Sequence, residues 1–573
     1  MSKTGDTSSA PAESVAPSRE EPAAASPTAD SEKTEKTATT NKPPTTEGPL
    51  IYQSEIESEI EVYAHAQRQM RRLFPRALLV GVLAGAVAVA FRAVLLGGEE
   101  LRNTMLKWAH QFPQFGWIFP ILWGMTGALL AVLLSRNLAP EAAGSGIPHL
   151  KAVLLRFREL KWLRVLPVKF IGGALAMGGG LALGREGPTV QMGGAVGAAV
   201  ADWLKSGVRE RLVLIASGAG AGLAAAFNAP LAGLVFVLEE LQRDFRQVIF
   251  AAALACAAIA DVIARWASGQ QPAFGIPTYP GPPLQALPAF VVLGVAAGLL
   301  GVVYTRSLIG TLNLWGKLQG NQTYIATAAV GGIVGLAAWF VPGAVGGGHD
   351  LTERILHGEM LLRLIPLWFL ARLALSLLSY ATGAPGGIFA PMLVLGALVG
   401  LGVGQAANLM APNTVQRPEV FAVVGMAAYF AAIVRAPLTA VVLILEMTGN
   451  YAQMLPLLVA CFCAYLTADF LHCPPIYETL LERDLRRNGI TIPAHEPMIF
   501  EFEVEPGAPF HGKEVRELGL PPGCILVRLR DGGQEVVPTA TTRLTAHMRL
   551  TALIAPHARQ GLQLLRDGCE AGE

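Results

Sequence analysis

Gly184-Arg185-Glu186-Gly187-Pro188 puts a carboxylate in the middle of a long apolar stretch, on a glycine-rich turn where a new helix is expected to begin. A charge at the centre of a bilayer costs ~3 kcal/mol or more, so Glu186 needs a compensating role. The turn supplies one. The first N–H groups of a helix lack intrahelical partners and carry the positive end of its dipole, which makes them a site for an anion. Glu186 can fill that site itself or leave it to a dissolved anion, and that alternation is the logic of a gate. The plainer reading, a carboxylate that only caps its helix, is half of the same mechanism.

The rest of the chain suits a membrane. Of 573 residues 52% are hydrophobic, only 15% are charged and 62 are glycine, with mean hydropathy +0.44. A soluble protein carries about 25% charged residues. Leu78–Val94, Ile121–Leu134, Ala289–Val303, Ala326–Phe340 and Phe421–Leu445 read as spans or pieces of spans. Abundant glycine predicts close helix packing and helices broken within the membrane. The formal net charge of +1 gives no case for a nucleic-acid partner. Cys256, Cys461, Cys463, Cys473, Cys524 and Cys569 have neither zinc nor disulfide spacing, so no metal or cofactor is expected.

No cleavable signal peptide is visible, and residues 1–54 read as a disordered cytoplasmic tail. An amphipathic helix is expected over 55–74, with Arg68, Arg71, Arg72 and Arg76 placing the N-terminus in the cytoplasm. The membrane domain is expected over 75–487, and it repeats itself. Ala229-Pro230-Leu231 leading to Leu238-Glu239 recurs as Ala436-Pro437-Leu438 leading to Leu445-Glu446. Pro188, Gly193 and Gly197 recur as Pro391, Gly396 and Gly400; Gly81 and Gly85 as Gly294 and Gly298; Gly144 and Gly146 as Gly346 and Gly348. Four matches in one order imply two homologous halves, 75–270 and 284–480, with the substrate site between broken helices at mid-membrane. The repeat alone leaves open whether the halves are inverted or parallel. Lys151, Arg156, Arg158, Lys161 and Arg164, and then Arg243 and Arg246, read as cytoplasmic clusters.

Composition changes after Arg487. Residues 497–560 alternate short β-like runs with turns such as Pro521-Pro522-Gly523, giving a small cytoplasmic α+β domain with a short helix at Lys513–Leu518 and a tail over 561–573.

Further segments bear on chemistry. Gly144-Ser145-Gly146-Ile147-Pro148 offers a hydroxyl between glycines, though alone it reads as a plain turn. Gly387-Ile388-Phe389-Ala390-Pro391 opens an apolar helix and offers the amides of Ile388 and Phe389, or else it is a hinge. Tyr477, by position, reads as an interfacial belt residue. Glu239 and Glu240 read as solvated helix ends, with a proton entrance as the sharper alternative. No nucleophile–base pair marks the spans, so an enzyme is not expected.

Together these motifs closely resemble the CLC family of chloride channels and chloride/proton antiporters, over about 75–485. The resemblance rests on residues 144–148, 184–188 and 387–391, on Tyr477, on Ala226-Phe227-Asn228-Ala229-Pro230-Leu231-Ala232-Gly233, and on Leu445-Glu446-Met447-Thr448. It implies an all-α polytopic membrane protein, an inverted repeat of tilted and re-entrant helices assembled as a homodimer in a prokaryotic inner membrane, with both termini cytoplasmic. Ser145 and Tyr477 would donate hydroxyl hydrogen bonds to chloride, helped by the amides of Ile388 and Phe389. Gly144, Gly146, Pro148, Gly184, Arg185, Gly187, Pro188, Gly387 and Pro391 would shape the selectivity motifs. Glu186 would be the gating glutamate and Glu240 the inner proton-transfer glutamate, whose presence favours exchange over passive flow. Nitrate-preferring relatives tend to carry proline where this chain has Ser145. The segment 499–556 resembles the C-terminal domain of TrkA-type potassium-transport regulators, through Gly512-Lys513-Glu514-Val515-Arg516-Glu517-Leu518-Gly519-Leu520-Pro521-Pro522-Gly523, and implies a small-molecule sensing module.

Overall fold

Among the described residues, nine helices are long and apolar enough to cross a membrane. The computed structural model describes residues 49–112, 114–277, 279–490, 498–531, 534–555 and 558–570; the tail expected over 1–54 lies outside them as far as residue 48. Four of the five apolar runs fall inside such helices: Met70–Ala109, Ile118–Leu138, Leu284–Trp315 and Asn321–Phe340. The fifth, Phe421–Leu445, is two helices, Pro418–Val434 and Pro437–Thr448. Arg435 turns left-handed between them (φ 68°), and Pro437, with no N–H to donate, suits the first position of the second. The helix expected over 55–74 is not a separate element either. It runs unbroken within Pro49–Ala109, with Pro75 inside.

Other helices begin between these spans, Ile147–Leu154, Glu186–Trp203, Pro230–Phe236 and His349–Leu356, and Phe389–Met410, itself a span, starts among them. The repeat appears as matched packing. A Cβ on Gly193 would lie 2.1 Å from the Gly218 carbonyl oxygen, and one on the equivalent Gly396 would lie 2.5 Å from that of Gly425. Backbone meets backbone at both places, which only glycine permits. The halves themselves join at an antiparallel bridge: Gly184 N–H donates to the Gly387 carbonyl (2.8 Å) and Gly387 N–H to the Gly184 carbonyl (2.7 Å). The two equivalent glycines run in opposite directions through this bridge, as two inverted halves meeting on a local two-fold would.

The C-terminal domain has an antiparallel sheet, β1 (Met498–Glu503), β2 (Cys524–Asp531), β3 (Gln534–Val536) and β4 (Arg549–Ile554), in the order β1-β4-β2-β3. Leu550, Ala552 and Ile554 alternate inward along β4 onto a core completed by Leu565 and Cys569 of the helix Arg559–Cys569. The tail expected from 561 is therefore core as far as 569, because that helix is apolar on one face. The helix expected at Lys513–Leu518 is a single 3-10 turn, Val515–Glu517, closed by a capping box between Glu514 and Glu517.

Candidate anion pathway

Several helices start at one buried centre. Gly146, left-handed at φ 86°, opens Ile147–Leu154, with Pro148 in the first turn. Ser145 just before it is buried, and its Oγ makes no hydrogen bond. Tyr477 lies in the first turn of Ile476–Arg487 and is fully buried, so the belt reading fails; its hydroxyl, beside that of Ser145, is also unpartnered. A Cβ on Gly187 would lie 2.6 Å from Ser145 Oγ and 3.1 Å from the Gly387 Cα, so the three signature loops touch. Ile388 caps Phe389–Met410, and the amides of Ile388 and Phe389 bond to nothing among the described residues. Pro188 and Pro391 sit in first turns, where a missing N–H costs nothing.

Glu186 is the first residue of its helix and only 3% exposed. Its carboxylate folds against Gly184 and reaches the Ala390 amide. The carboxylate of one repeat thus lies at the helix start of the other. On one side of this centre a cavity of about 180 Å³ reaches Ser145 past Arg158, Arg483 and Arg487. A second, of about 170 Å³, reaches Glu186 past Arg92, Arg185 and His349. Both walls mix charges: Glu141 and Asp484 also line the first, and Glu99 and Asp350 the second. Arg185 also donates to the Ala226 carbonyl at 3.4 Å.

Two buried bases went unread in the sequence. Lys169 Nζ donates to the carbonyls of Ala142 (2.9 Å) and Gly144 (2.6 Å), and Arg372 in the other half donates to those of Ala344 (2.8 Å) and Gly346 (2.7 Å). Each ties down two carbonyls of a glycine loop and places a positive charge beside it. The signal was available: Arg372 is the one charge in Ile365–Ala381, and a lone charge in a span is a functional residue by default.

The carboxylate pair also divides. Glu239 is no solvated helix end: it accepts from the amides of Leu438 (3.1 Å) and Thr439 (2.7 Å), capping Pro437–Thr448. Its repeat mate Glu446 accepts from those of Leu231 (3.0 Å) and Ala232 (2.7 Å). Glu240 lies on a π-helical turn, Val237–Gln242, and is buried, with its Oε1 2.7 Å from Lys151 Nζ. Such turns recur at functional sites. Lys151 is likewise buried, so it does not belong to the exposed cytoplasmic cluster.

Inverted halves, broken helices and unpartnered donors between two arginine-bearing cavities define an anion-handling membrane transporter. The chain belongs to the voltage gated chloride channel family, whose profile matches residues 127–469; residues 499–563 match the TrkA-C domain. It is 41% identical over 422 residues to the "H(+)/Cl(-) exchange transporter ClcA" of Vibrio parahaemolyticus, covering 72% of this chain and 90% of that one. To the protein of the same name from Salmonella agona it is 38% identical over 435 residues, covering 73% and 92%. The crystal structure of a slow cyanobacterial Cl-/H+ antiporter superposes with a TM-score of 0.71 at 35% identity, covering 73% of this chain and 99% of that one. A eukaryotic CLC transporter shares the fold, with a TM-score of 0.62 at 24% identity and 78% of both chains covered.

Proposed function

We propose that this protein exchanges chloride for protons across a bacterial cell membrane. Ser145, Tyr477 and the amides of Ile388 and Phe389 bind the anion; Glu186 alternates between occupying its path and carrying a proton; Glu240 serves the inner proton site. The observation that carries this reading is the Glu186 carboxylate, buried beside the Ala390 amide between a cavity that reaches Ser145 and one that reaches Glu186 itself. Protonation removes its charge and its hold on the helix start, freeing it to swing aside. Names of relatives and a structural neighbour as chloride/proton exchangers support the reading. Passive chloride conduction would use the same scaffold, and Glu240 favours exchange because a channel needs no second buried carboxylate.

We read the assembly as a homodimer with one pathway per subunit, since one chain supplies every helix start around the centre. Both termini are read as cytoplasmic, from the basic residues before the first span. The C-terminal domain is read as a small-molecule sensor.

In liposomes carrying an outward chloride gradient, chloride should drive protons uphill, and Glu186→Ala or Gln should abolish that movement while chloride still flows. Glu240→Gln should lower proton movement and spare chloride. Proton transport retained by the Glu186 variants would defeat the assignment, and chloride efflux with no proton movement in the native protein would make it a channel.

A further inference from the structure

Glu240 has no direct route to water in this structure, being 1% exposed. What surrounds it is an ordered set of charges. Lys151 Nζ, on Ile147–Leu154, lies 2.7 Å from Glu240 Oε1 and 2.7 Å from Glu478 Oε1. One ammonium therefore holds two carboxylates side by side. Glu478 also pairs with Arg243, and side-chain exposure rises along the series from 1% at Glu240 and 6% at Lys151 to 29% at Glu478 and 58% at Arg243. Its second oxygen, Oε2, is buried and without a hydrogen-bond partner. Glu478 follows directly on Tyr477, so one helix turn carries both an anion-binding hydroxyl and this carboxylate.

Charge counting gives the arrangement a use. Two carboxylates and one ammonium sum to −1 in a protected site, and one added proton brings the cluster to zero. Arg243 pairs directly with Glu478 and brings the full set to zero with both carboxylates ionised, so an arriving proton takes the place of that surface pair. We infer that Glu478 is the carboxylate that takes protons from the cytoplasm and delivers them to Glu240, with Lys151 as the positioning residue that holds the pair together. A proton moves from hydronium to Glu478, which becomes a carboxylic acid; it then passes to the Glu240 carboxylate, and Glu478 is again an anion. Lys151 stays an ammonium throughout. This inference rests on the exchange reading and on Glu240 as the inner site.

The test uses the full chain in liposomes, with chloride and proton fluxes measured together at several pH values on the cytoplasmic face. Glu478→Gln, nearly isosteric and partly exposed, should lower the proton-to-chloride ratio several-fold, with Glu478→Asp recovering part of it. Lys151→Gln removes the cation between two carboxylates, which raises their proton affinity, and should move the proton-flux profile to higher pH; Lys151→Arg should restore it. If Glu240→Gln uncouples transport while Glu478→Gln leaves the ratio unchanged, the inference is overturned and the exchange reading stands. Equal loss of chloride and proton flux in Glu478→Gln and Glu478→Asp would also overturn it, marking a structural ion pair. If Glu240→Gln itself changes nothing, the exchange reading is what fails.

Discussion

At the residue scale, the proposed selectivity rests on donors left without protein partners. Ser145 Oγ and the Tyr477 hydroxyl are both buried and unsatisfied, and a buried polar group in that state costs ~1–3 kcal/mol until something bonds to it. In the proposed site a chloride ion would recover that cost twice. Ser145→Pro removes one donor and stiffens the turn, and should shift the anion preference from chloride towards nitrate, read from reversal potentials or competitive flux. Ser145 became legible only through the family motif, since Gly144–Pro148 alone reads as a plain turn. Tyr477 could not be read from position: a tyrosine just after a span is ordinarily interfacial, and only the return of its helix buries it. The carbonyl partners of Lys169 and Arg372 leave no pattern in a sequence, although Arg372 as a lone charge in its span was itself a signal.

Helix pairs at the scale of elements are held by contact between main chains. Gly193 against Gly218 is the tightest such place in the first half, with no room for a side chain. Gly193→Leu should cost at least the ~1–3 kcal/mol of core overpacking, probed by thermal unfolding in detergent. Gly207→Ala, where a Cβ meets nothing within 4 Å, should leave the midpoint within a degree or two of the native protein. Apolar runs showed which segments enter the membrane but not where each breaks. Phe421–Leu445 is apolar through its break, and only Arg435-Ala436-Pro437 marks it. The capping of each repeat by Glu239 or Glu446 of the other was equally hidden, since it joins residues far apart in the chain.

At the scale of the whole molecule, the membrane domain and the C-terminal domain have separate cores, the latter built from residues 500–569. Ending the chain after Gly489 should therefore leave chloride-driven proton transport intact in liposomes while removing any response to small molecules. The fold was legible as two halves because their motifs recur in order, whereas their opposite sense needed the Gly184–Gly387 bridge. That bridge carries an implication for ancestry. Its two bonds are reciprocal, each glycine giving and receiving the same contact, as in a complex of identical molecules facing opposite ways. A single-repeat ancestor inserted in both orientations could have formed this gate from two separate chains. Duplication and fusion would then have locked the pair together, leaving lysine in one copy and arginine in the other to hold the matching loops.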